Sequence, residues 1–264
     1  MVTSTLPAGS QLSGNVVLYA QPEPLSLELH GKLGMNRVDK PWGFAANTHF
    51  VPLTVTEFAP AALSYPIIFA GAERQPIAVM GISDGQNLFI DAAGDIKPEA
   101  YLPAYIRRYP FVLANDDVQQ RMVVCIDRSA KAMGENADVP FFENGEPSDY
   151  LKQCIDFCQN FDVERARTES FVQLIKDLDL FESRKAFYNP PVATVGAEPE
   201  QVLIAEYFAV SEEKLNALPV EKLVELRDNG ALAQIYAHLI SLLGWDKLIV
   251  LALTQQNQPV AGNA

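Results

Sequence analysis

The sequence has little of what most metal and catalytic sites require, since its 264 residues include only three histidines and three cysteines. His30, His49 and His238 could in principle join a carboxylate such as Glu57 as iron or zinc ligands, but no two of the histidines share a ligand-like spacing. Three cysteines are too few to form a zinc site by clustering in sequence. We therefore expect no metal and no cofactor, and the sequence identifies no catalytic residue.

Positive charge is also scarce, because 20 Lys and Arg stand against 33 Asp and Glu, for a net charge of -13. A field of that sign repels phosphate backbones and anionic headgroups, so we expect no nucleic-acid partner. The most apolar tract, 231–253, is interrupted by residues such as Asp246 and Lys247, which predicts no membrane span. The first residues lack a basic region followed by an apolar run, which predicts a cytoplasmic protein.

The chain divides into a central domain and two tails. Residues 1–15 are small, polar and punctuated by Gly and Pro, so we expect them to be disordered or loosely attached, and 257–264 to be a flexible tail. Residues 16–256 are predicted to form a single α+β domain. Its antiparallel sheet lies in the N-terminal half, mainly in 66–127, and its C-terminal half is largely helical.

Short apolar runs bounded by turn residues predict the strands, and capping residues predict the helices. The predicted strands are 16–19, 49–53, 66–70, 76–81, 87–91, 111–114, 121–127 and 201–210. A helical turn ends near Gly31 or Gly34, and a short helix capped by Thr56 stops before Tyr65. Further helices run from Pro98 to Pro110, from Ser148 to 159, from Asp162 onward and from Ser211, and two more meet at Gly230.

Two local patterns are interpreted as structural. GISDG at 81–85 matches the nucleophile elbow, but a predicted strand follows it and Asp84-Gly85 favours a hairpin turn, so Ser83 is interpreted as a turn residue. Cys154 and Cys158 lie four residues apart, which predicts two reduced, buried thiols on one helix face. Cys125 is predicted to lie in a strand.

The candidate site is YLPAYIRRYPF at 101–111, which sets Arg107 and Arg108 among Tyr101, Tyr105 and Tyr109. Consecutive helical residues point about 100° apart, so both arginines face one site only if the helix ends there, as Pro110 indicates. One arginine is interpreted as structural, bound to helix-terminal carbonyls or a carboxylate. The other can clamp an anion with the tyrosines as hydrogen-bonding walls.

His238 is the remaining candidate, because it forms a polar stripe with Gln234 and Ser241 on an otherwise apolar helix. Two interpretations stay open. The histidine is either satisfied by structural hydrogen bonds or part of a ligand site with the arginines.

The order of several segments resembles the SapC family, bacterial proteins named for a surface-layer component. These segments are PLSLELHGKLG, HFVPLTVTEFAPAALSYPIIFAG, YLPAYIRRYPFVLA, FFENGEPSDYL and GALAQIYAHLISL. The resemblance implies a protein of this length without agreed catalytic residues. It also implies that the protein is encoded near flavin-dependent halogenase-like proteins and outer-membrane receptors. By resemblance alone, it implies a location at the cell surface.

The leading hypothesis is a soluble, non-catalytic accessory or ligand-binding protein. Its partner would be a small molecule or peptide with an anionic group, or another protein, such as a flavin-dependent halogenase-like enzyme or a component of a peptide-related uptake pathway. One alternative is an enzyme with an active site around Arg107, Arg108 and His238. A second alternative is a structural protein of a surface layer.

Overall fold

The computed structural model describes residues 17–116, 121–190 and 201–256. Helices and strands account for about 38% and 25% of the structure, and the strand pairings are antiparallel, which confirms the predicted α+β class. The predicted tails, 1–15 and 257–264, lie outside the described residues.

Contacts divide the chain into two compact units. Unit 1 consists of Met1–Pro41 and Ile106–Val163, and unit 2 consists of Trp42–Tyr105 and Glu164–Ala264. Compact units of one chain need not fold independently, so the single domain expected for 16–256 stays a prediction.

The strands are short except for three. In chain order they are β1 (Pro22–Pro24), β2 (Leu33–Met35), β3 (Phe50–Pro52), β4 (Ile67–Ala70), β5 (Gln75–Val79), β6 (Phe111–Asp116), β7 (Arg121–Asp127), β8 (Met133–Glu135), β9 (Val139–Pro140), β10 (Phe142–Glu143), β11 (Glu146–Pro147), β12 (Phe181–Tyr188) and β13 (Val202–Val210).

The helices lie mostly in the second half of the chain. They are α1 (Leu27–His30), α2 (Phe58–Ala62), α3 (Ala104–Arg107), α4 (Asp149–Asp177), α5 (Glu212–Asn216), α6 (Val220–Asp228), α7 (Ala231–Ser241) and α8 (Gly244–Gln256), with short 3-10 helices at Gly43–Ala45 and Val55–Glu57.

Unit 1 contains two three-stranded sheets, in the orders β1-β7-β6 and β8-β2-β9, and the hairpin β10-β11. The first residues of α4 pack on these strands through an apolar core made of Leu33, Phe111, Ile126, Phe141, Leu151 and Cys158. The Phe111 and Phe141 rings meet edge to face with centroids 5.5 Å apart, a favourable aromatic arrangement. This core supports the strand and the helix that carry the site described below.

Unit 2 is built on one five-stranded sheet, in the order β12-β13-β4-β5-β3. Phe58 of α2 and Phe69 of β4 are buried in its core, where their ring centroids are 6.2 Å apart. The sheet therefore joins strands from both halves of the chain, although the prediction drew them mainly from 66–127.

Several predicted boundaries are confirmed. Gly31 caps α1, and the Leu151 N–H donates to the Ser148 hydroxyl oxygen at 3.2 Å at the start of α4. Gly230, with φ of 80°, separates α6 from α7. Ser83 lies in a bend that leads into a turn, where Gly85 has φ of 76°, so Ser83 belongs to a turn region as predicted. The turn does not close the predicted hairpin, because 87–91 do not form a strand.

Three strand predictions are wrong in part. Of the strand predicted at 16–19, residue 16 lies outside the described residues, 17–18 form a turn and Tyr19 has no regular structure. Residues 87–91 make only an isolated bridge, Ile90 to Ile96, because the Asn87 side chain binds main-chain groups and holds a turn. Strands β6 and β7 pair with each other, but in a different sheet from β4 and β5.

Three helix predictions are also wrong. Thr54, and not Thr56, begins the short helical segment, since the Thr54 N–H donates to Glu57 Oε2 at 2.9 Å in a capping box. Residues from Pro98 do not form a helix until Ala104, because Pro103 restricts the residue before it to extended conformations. Asp162 lies inside α4, which runs unbroken for 29 residues.

One apolar stretch bears on the membrane prediction. Within the described parts of the chain, the helical stretch Ala231–Gln255 is the one that is long and apolar enough to cross a membrane, judged by length and composition alone. Core helices of soluble proteins satisfy the same criteria, and His238, Leu248 and Ala252 of this stretch are buried. The absence of a membrane span stays a prediction.

Candidate functional site

The two arginines stand where a helix turns into a strand. Helix α3 ends at Arg107, and Pro110, which has no N–H to donate, follows two residues after Arg108. The Phe111 N–H donates to the Arg108 carbonyl oxygen at 2.8 Å, which closes a turn before β6 begins. The helix therefore ends before Pro110, as predicted, and this is the condition under which both arginines can face one site.

Both arginines line one pocket of about 210 Å³ in unit 1. The lining residues are Arg107, Arg108, Tyr109, Phe111, Tyr150, Gln153, Cys154 and Phe157. Half of them come from α4 at positions i, i+3, i+4 and i+7, the spacing that places side chains on one helix face. Tyr109 lies in the pocket with both arginines, and their ligand-binding role stays a prediction. The four α4 residues were not among the predicted site residues.

Each guanidinium group lies against an aromatic ring. The Arg107 Cζ atom is 5.3 Å from the Phe157 ring centroid, and Arg107 is exposed. The Arg108 Cζ atom is 4.3 Å from the Phe161 centroid and 5.6 Å from the Tyr19 centroid, and Arg108 is half-buried. Such cation–π contacts stabilise a guanidinium group most where it is partly desolvated. Arg108 is thus the more buried of the two and lies against two rings.

A buried carboxylate holds the tyrosine of the pocket. Asp127 accepts hydrogen bonds from the N–H groups of Ala20 at 2.9 Å and Gln21 at 3.0 Å, and from the hydroxyl of Ser129 at 2.7 Å. Burial raises the pKa of Asp127, but these hydrogen bonds outweigh it and leave the pKa below its ordinary value. The Tyr109 hydroxyl also bonds to Asp127 and Ser129, and burial with the Asp127 charge raises the pKa of Tyr109 to about 12.

The pocket contains a thiol but no thiolate. Cys154 is half-buried, and burial raises its pKa. Burial also raises the pKa of the neighbouring Tyr150 phenol above its ordinary value. Cys158 is buried, and burial raises its pKa to about 12. All three cysteines are free, so the prediction of a reduced, buried thiol is confirmed for Cys158. For Cys154 the reduced state is confirmed, but the predicted burial is wrong, because the residue is only partly covered.

The two remaining tyrosines of the segment belong to unit 2. The Tyr101 hydroxyl donates to Glu57 Oε1 at 3.1 Å, and the Tyr101 N–H donates to the Ser64 hydroxyl oxygen at 3.0 Å. Tyr105 is buried. These contacts anchor the start of YLPAYIRRYPF, and a ligand-binding role for Tyr101 and Tyr105 stays a prediction.

His238 also belongs to unit 2, where it joins two strands. The Val210 N–H donates to Nε2 at 3.0 Å, so the ring proton is on Nδ1, which donates to the Ile67 carbonyl oxygen at 2.9 Å. The Ser241 hydroxyl accepts from the Ile67 N–H at 2.9 Å. Burial lowers the pKa of His238 to about 4. The neutral ring satisfies buried main-chain groups, which supports the structural interpretation.

A second hollow in unit 1, of about 440 Å³, is less suited to an ion. It is lined by Met35, Asn36, Arg37, Asp138 and Val139, so one cation and one carboxylate offset each other. The arginine pocket is smaller but carries two cations and no carboxylate among its lining residues. Its chemistry, and not its size, makes it the candidate site.

The fold and the pocket define the chain as an α+β protein with an arginine and aromatic pocket. A family model described as SapC matches residues 25–248, which is most of the chain. The chain therefore belongs to the SapC family. Neither the comparison with curated proteins nor the comparison with solved structures found a match.

Proposed function

We propose that this SapC-family chain is a non-catalytic binding protein whose pocket in unit 1 holds the anionic group of a small molecule or peptide. One observation carries the proposal: Arg107 and Arg108 line the same pocket together with Phe111, Tyr150 and Phe157. Two cations beside aromatic surface are suited to an anion that also has an apolar part.

The charges next to the pocket matter more for binding an anion than the net charge of -13 does. A unit charge 4 Å from an anion contributes about 4 kcal/mol of Coulomb energy near a protein surface. Exposed charges farther away than about 8 Å are screened at physiological salt. The nearby Asp127 carboxylate, which bonds to Tyr109, is already compensated by the N–H groups of Ala20 and Gln21. Exposed acidic residues farther away are screened and weaken binding less than the two guanidinium groups strengthen it.

The family resemblance adds a partner hypothesis. We propose that the ligand is shared with a partner such as a flavin-dependent halogenase-like enzyme or a peptide-related uptake system. We assign no catalytic role to His238, because both of its ring nitrogens bond to the main chain. No contact of the described residues favours a surface-layer role over this one.

Calorimetric titration tests the proposal with acetate, benzoate and inorganic phosphate as probes. At least one probe should bind saturably to the wild-type chain. Arg107→Gln and Arg108→Gln should each weaken that binding about tenfold or more, since one charge-assisted hydrogen bond contributes about 1.5–3 kcal/mol. Arg227→Gln is the matched control, because Arg227 is exposed on α6 of the other unit and pairs with Asp228.

Two outcomes would overturn the proposal. One is the absence of saturable binding for all three probes. The other is binding that the control variant weakens as much as the pocket variants do, because the effect would then report net charge instead of a site.

A further inference from the structure

We propose that the ligand of the arginine pocket is a carboxylic acid attached to a single aromatic ring. The ring lies against the aromatic lining, and the carboxylate lies at Arg107 and Arg108. This inference rests on the proposed function, because it names the chemical class of ligand for the same pocket.

The size of the pocket limits the ligand. Its volume of about 210 Å³ is smaller than the roughly 300–1,000 Å³ of sites that enclose drug-sized ligands. A dinucleotide, a flavin or a folded peptide segment is far larger than this space. The pocket therefore takes either a small molecule or only the end group of a larger one.

The lining favours an aromatic ring as the apolar part. Four of the eight lining residues are aromatic, namely Tyr109, Phe111, Tyr150 and Phe157, and Phe111 is almost fully buried. A ligand ring can pack on such rings edge to face or in an offset stack. Both arrangements stabilise the complex by more than the buried area alone would. A short aliphatic acid would leave much of this surface in contact with water.

The charged groups favour a monoanion. Arg107 is exposed, whereas Arg108 is half-buried and already lies over Phe161 and Tyr19. A phosphate dianion would lose more hydration than a carboxylate on entering a space walled by aromatic rings. The planar carboxylate also matches the planar donor arrangement of a guanidinium group. The neutral Tyr150 phenol and Cys154 thiol add no charge that would repel it.

Two sources share this chemistry. One is a free aryl carboxylic acid, and the other is the C-terminal phenylalanine of a peptide, whose carboxylate lies close to its ring. A peptide continues beyond the pocket, whereas a free acid ends inside it. The test therefore includes a probe for each source.

Cys154 supplies a reporter inside the pocket, and the buried Cys125 and Cys158 supply internal references. The experiment measures the rate at which maleimide labels Cys154 in the full chain, at mildly alkaline pH, by mass spectrometry of peptides. The probes are benzoate, acetate, phosphate, the neutral isostere benzamide, and N-acetyl-phenylalanine. A ligand that fills the pocket slows labelling of Cys154 and leaves the two references unchanged.

We expect benzoate to protect Cys154 at concentrations at least tenfold lower than acetate, phosphate or benzamide. N-acetyl-phenylalanine protecting better than benzoate would assign the peptide source, and the reverse would assign the free acid. Phe157→Leu should reduce the preference of the pocket for benzoate over acetate. Phe187→Leu is its matched control, since Phe187 is an exposed aromatic residue of unit 2.

The failures of the two proposals are distinguishable. If acetate or phosphate protects as well as benzoate, the anion site stands and the aromatic inference is overturned. If benzamide protects as well as benzoate, or if no probe protects, both the anion site and this inference are overturned.

Discussion

The Arg108 Cζ atom lies 4.3 Å from the centroid of the Phe161 ring, and the two side chains lie in the same compact unit. Phe161 is buried, so the guanidinium group lies against a ring that is packed in the protein interior. This contact gives Arg108 a defined place in the pocket wall while Arg107 stays exposed. The two adjacent arginines consequently differ in how much they contribute to stability.

Lysine replacements should separate these contributions. Arg108→Lys is expected to lower the free energy of unfolding by about 1 kcal/mol, through lost cation–π contact. For a chain of this size that corresponds to a fall in Tm of about 2–4 °C. Arg107→Lys should leave Tm nearly unchanged, since Arg107 is exposed. Thermal melts of both variants test this difference, and equal shifts in Tm would contradict it.

Tyr109→Phe tests the contact that fixes the pocket tyrosine. The substitution keeps the ring but removes the hydroxyl that bonds to Asp127 and Ser129. We expect the free energy of unfolding in urea to fall by about 1 kcal/mol, the usual net value of one hydrogen bond. Asp127 keeps its bonds from Ala20 and Gln21, so no buried charge is left without a donor.

Tyr236→Phe is the control for that measurement, because Tyr236 is 44% exposed on α7. It should change stability by less than about 0.5 kcal/mol, as surface substitutions usually do. If Tyr109→Phe and Tyr236→Phe have the same effect, the bond to Asp127 contributes nothing measurable.

His238 predicts how stability depends on pH. Its pKa falls from 6.5 to about 4 in the folded chain, so the unfolded chain binds a proton that the folded chain does not bind in this interval. The contribution of His238 to the free energy of unfolding is therefore fully present above pH 6.5 and is lost as the pH falls towards 4. The loss amounts to roughly 3 kcal/mol, at 1.36 kcal/mol for each pKa unit.

His238→Gln should therefore be less stable than the wild type at neutral pH, and the difference should narrow under acid. Urea denaturation at a series of pH values measures it. His49→Asn is the matched control, since the His49 side chain is partly exposed beside the fully exposed Asp84. A difference between His238→Gln and the wild type that stays constant with pH would contradict the account.

The cysteines should react in a fixed order under native conditions. Cys154 is half-buried in the pocket, whereas Cys125 and Cys158 are buried, and burial raises their pKa values to about 11 and about 12. We expect a thiol reagent to modify Cys154 first, and Cys154→Ser to abolish the first phase. Cys158 reacting as fast as Cys154 would show that α4 is not packed as described.

Local signals in the sequence were enough to predict many of the helix boundaries and strands. Ser148, Gly31 and Gly230 marked helix boundaries through their own chemistry, and apolar runs marked β4, β5 and β13. The errors had two causes, a side-chain contact in one case and an overrated local signal in the other. The Asn87 side chain replaces strand pairing at 87–91, and α4 continues through Asp162 because an aspartate within a helix is only a weak break.

The candidate site likewise contains residues that could be predicted from local sequence and residues that could not. Arg107, Arg108 and Tyr109 stand together in the sequence and also in the pocket. Tyr150, Gln153, Cys154 and Phe157 had a detectable signal, since they occupy one face of a helix that was predicted to begin at 149. The sequence of that helix does not indicate that this face contacts the same pocket as Arg107 and Arg108. Their proximity depends on how the strands between the arginines and the helix fold.

The most direct test observes the arginines themselves. NMR can record the side-chain Nε–Hε signals of arginine while benzoate is added, with Arg107→Lys and Arg108→Lys used to assign the two signals. We predict saturable shifts of the Arg107 and Arg108 signals at benzoate concentrations that leave the signal of Arg227 unchanged. Shifts confined to other arginines, or equal shifts of all of them, would contradict an anion site in this pocket.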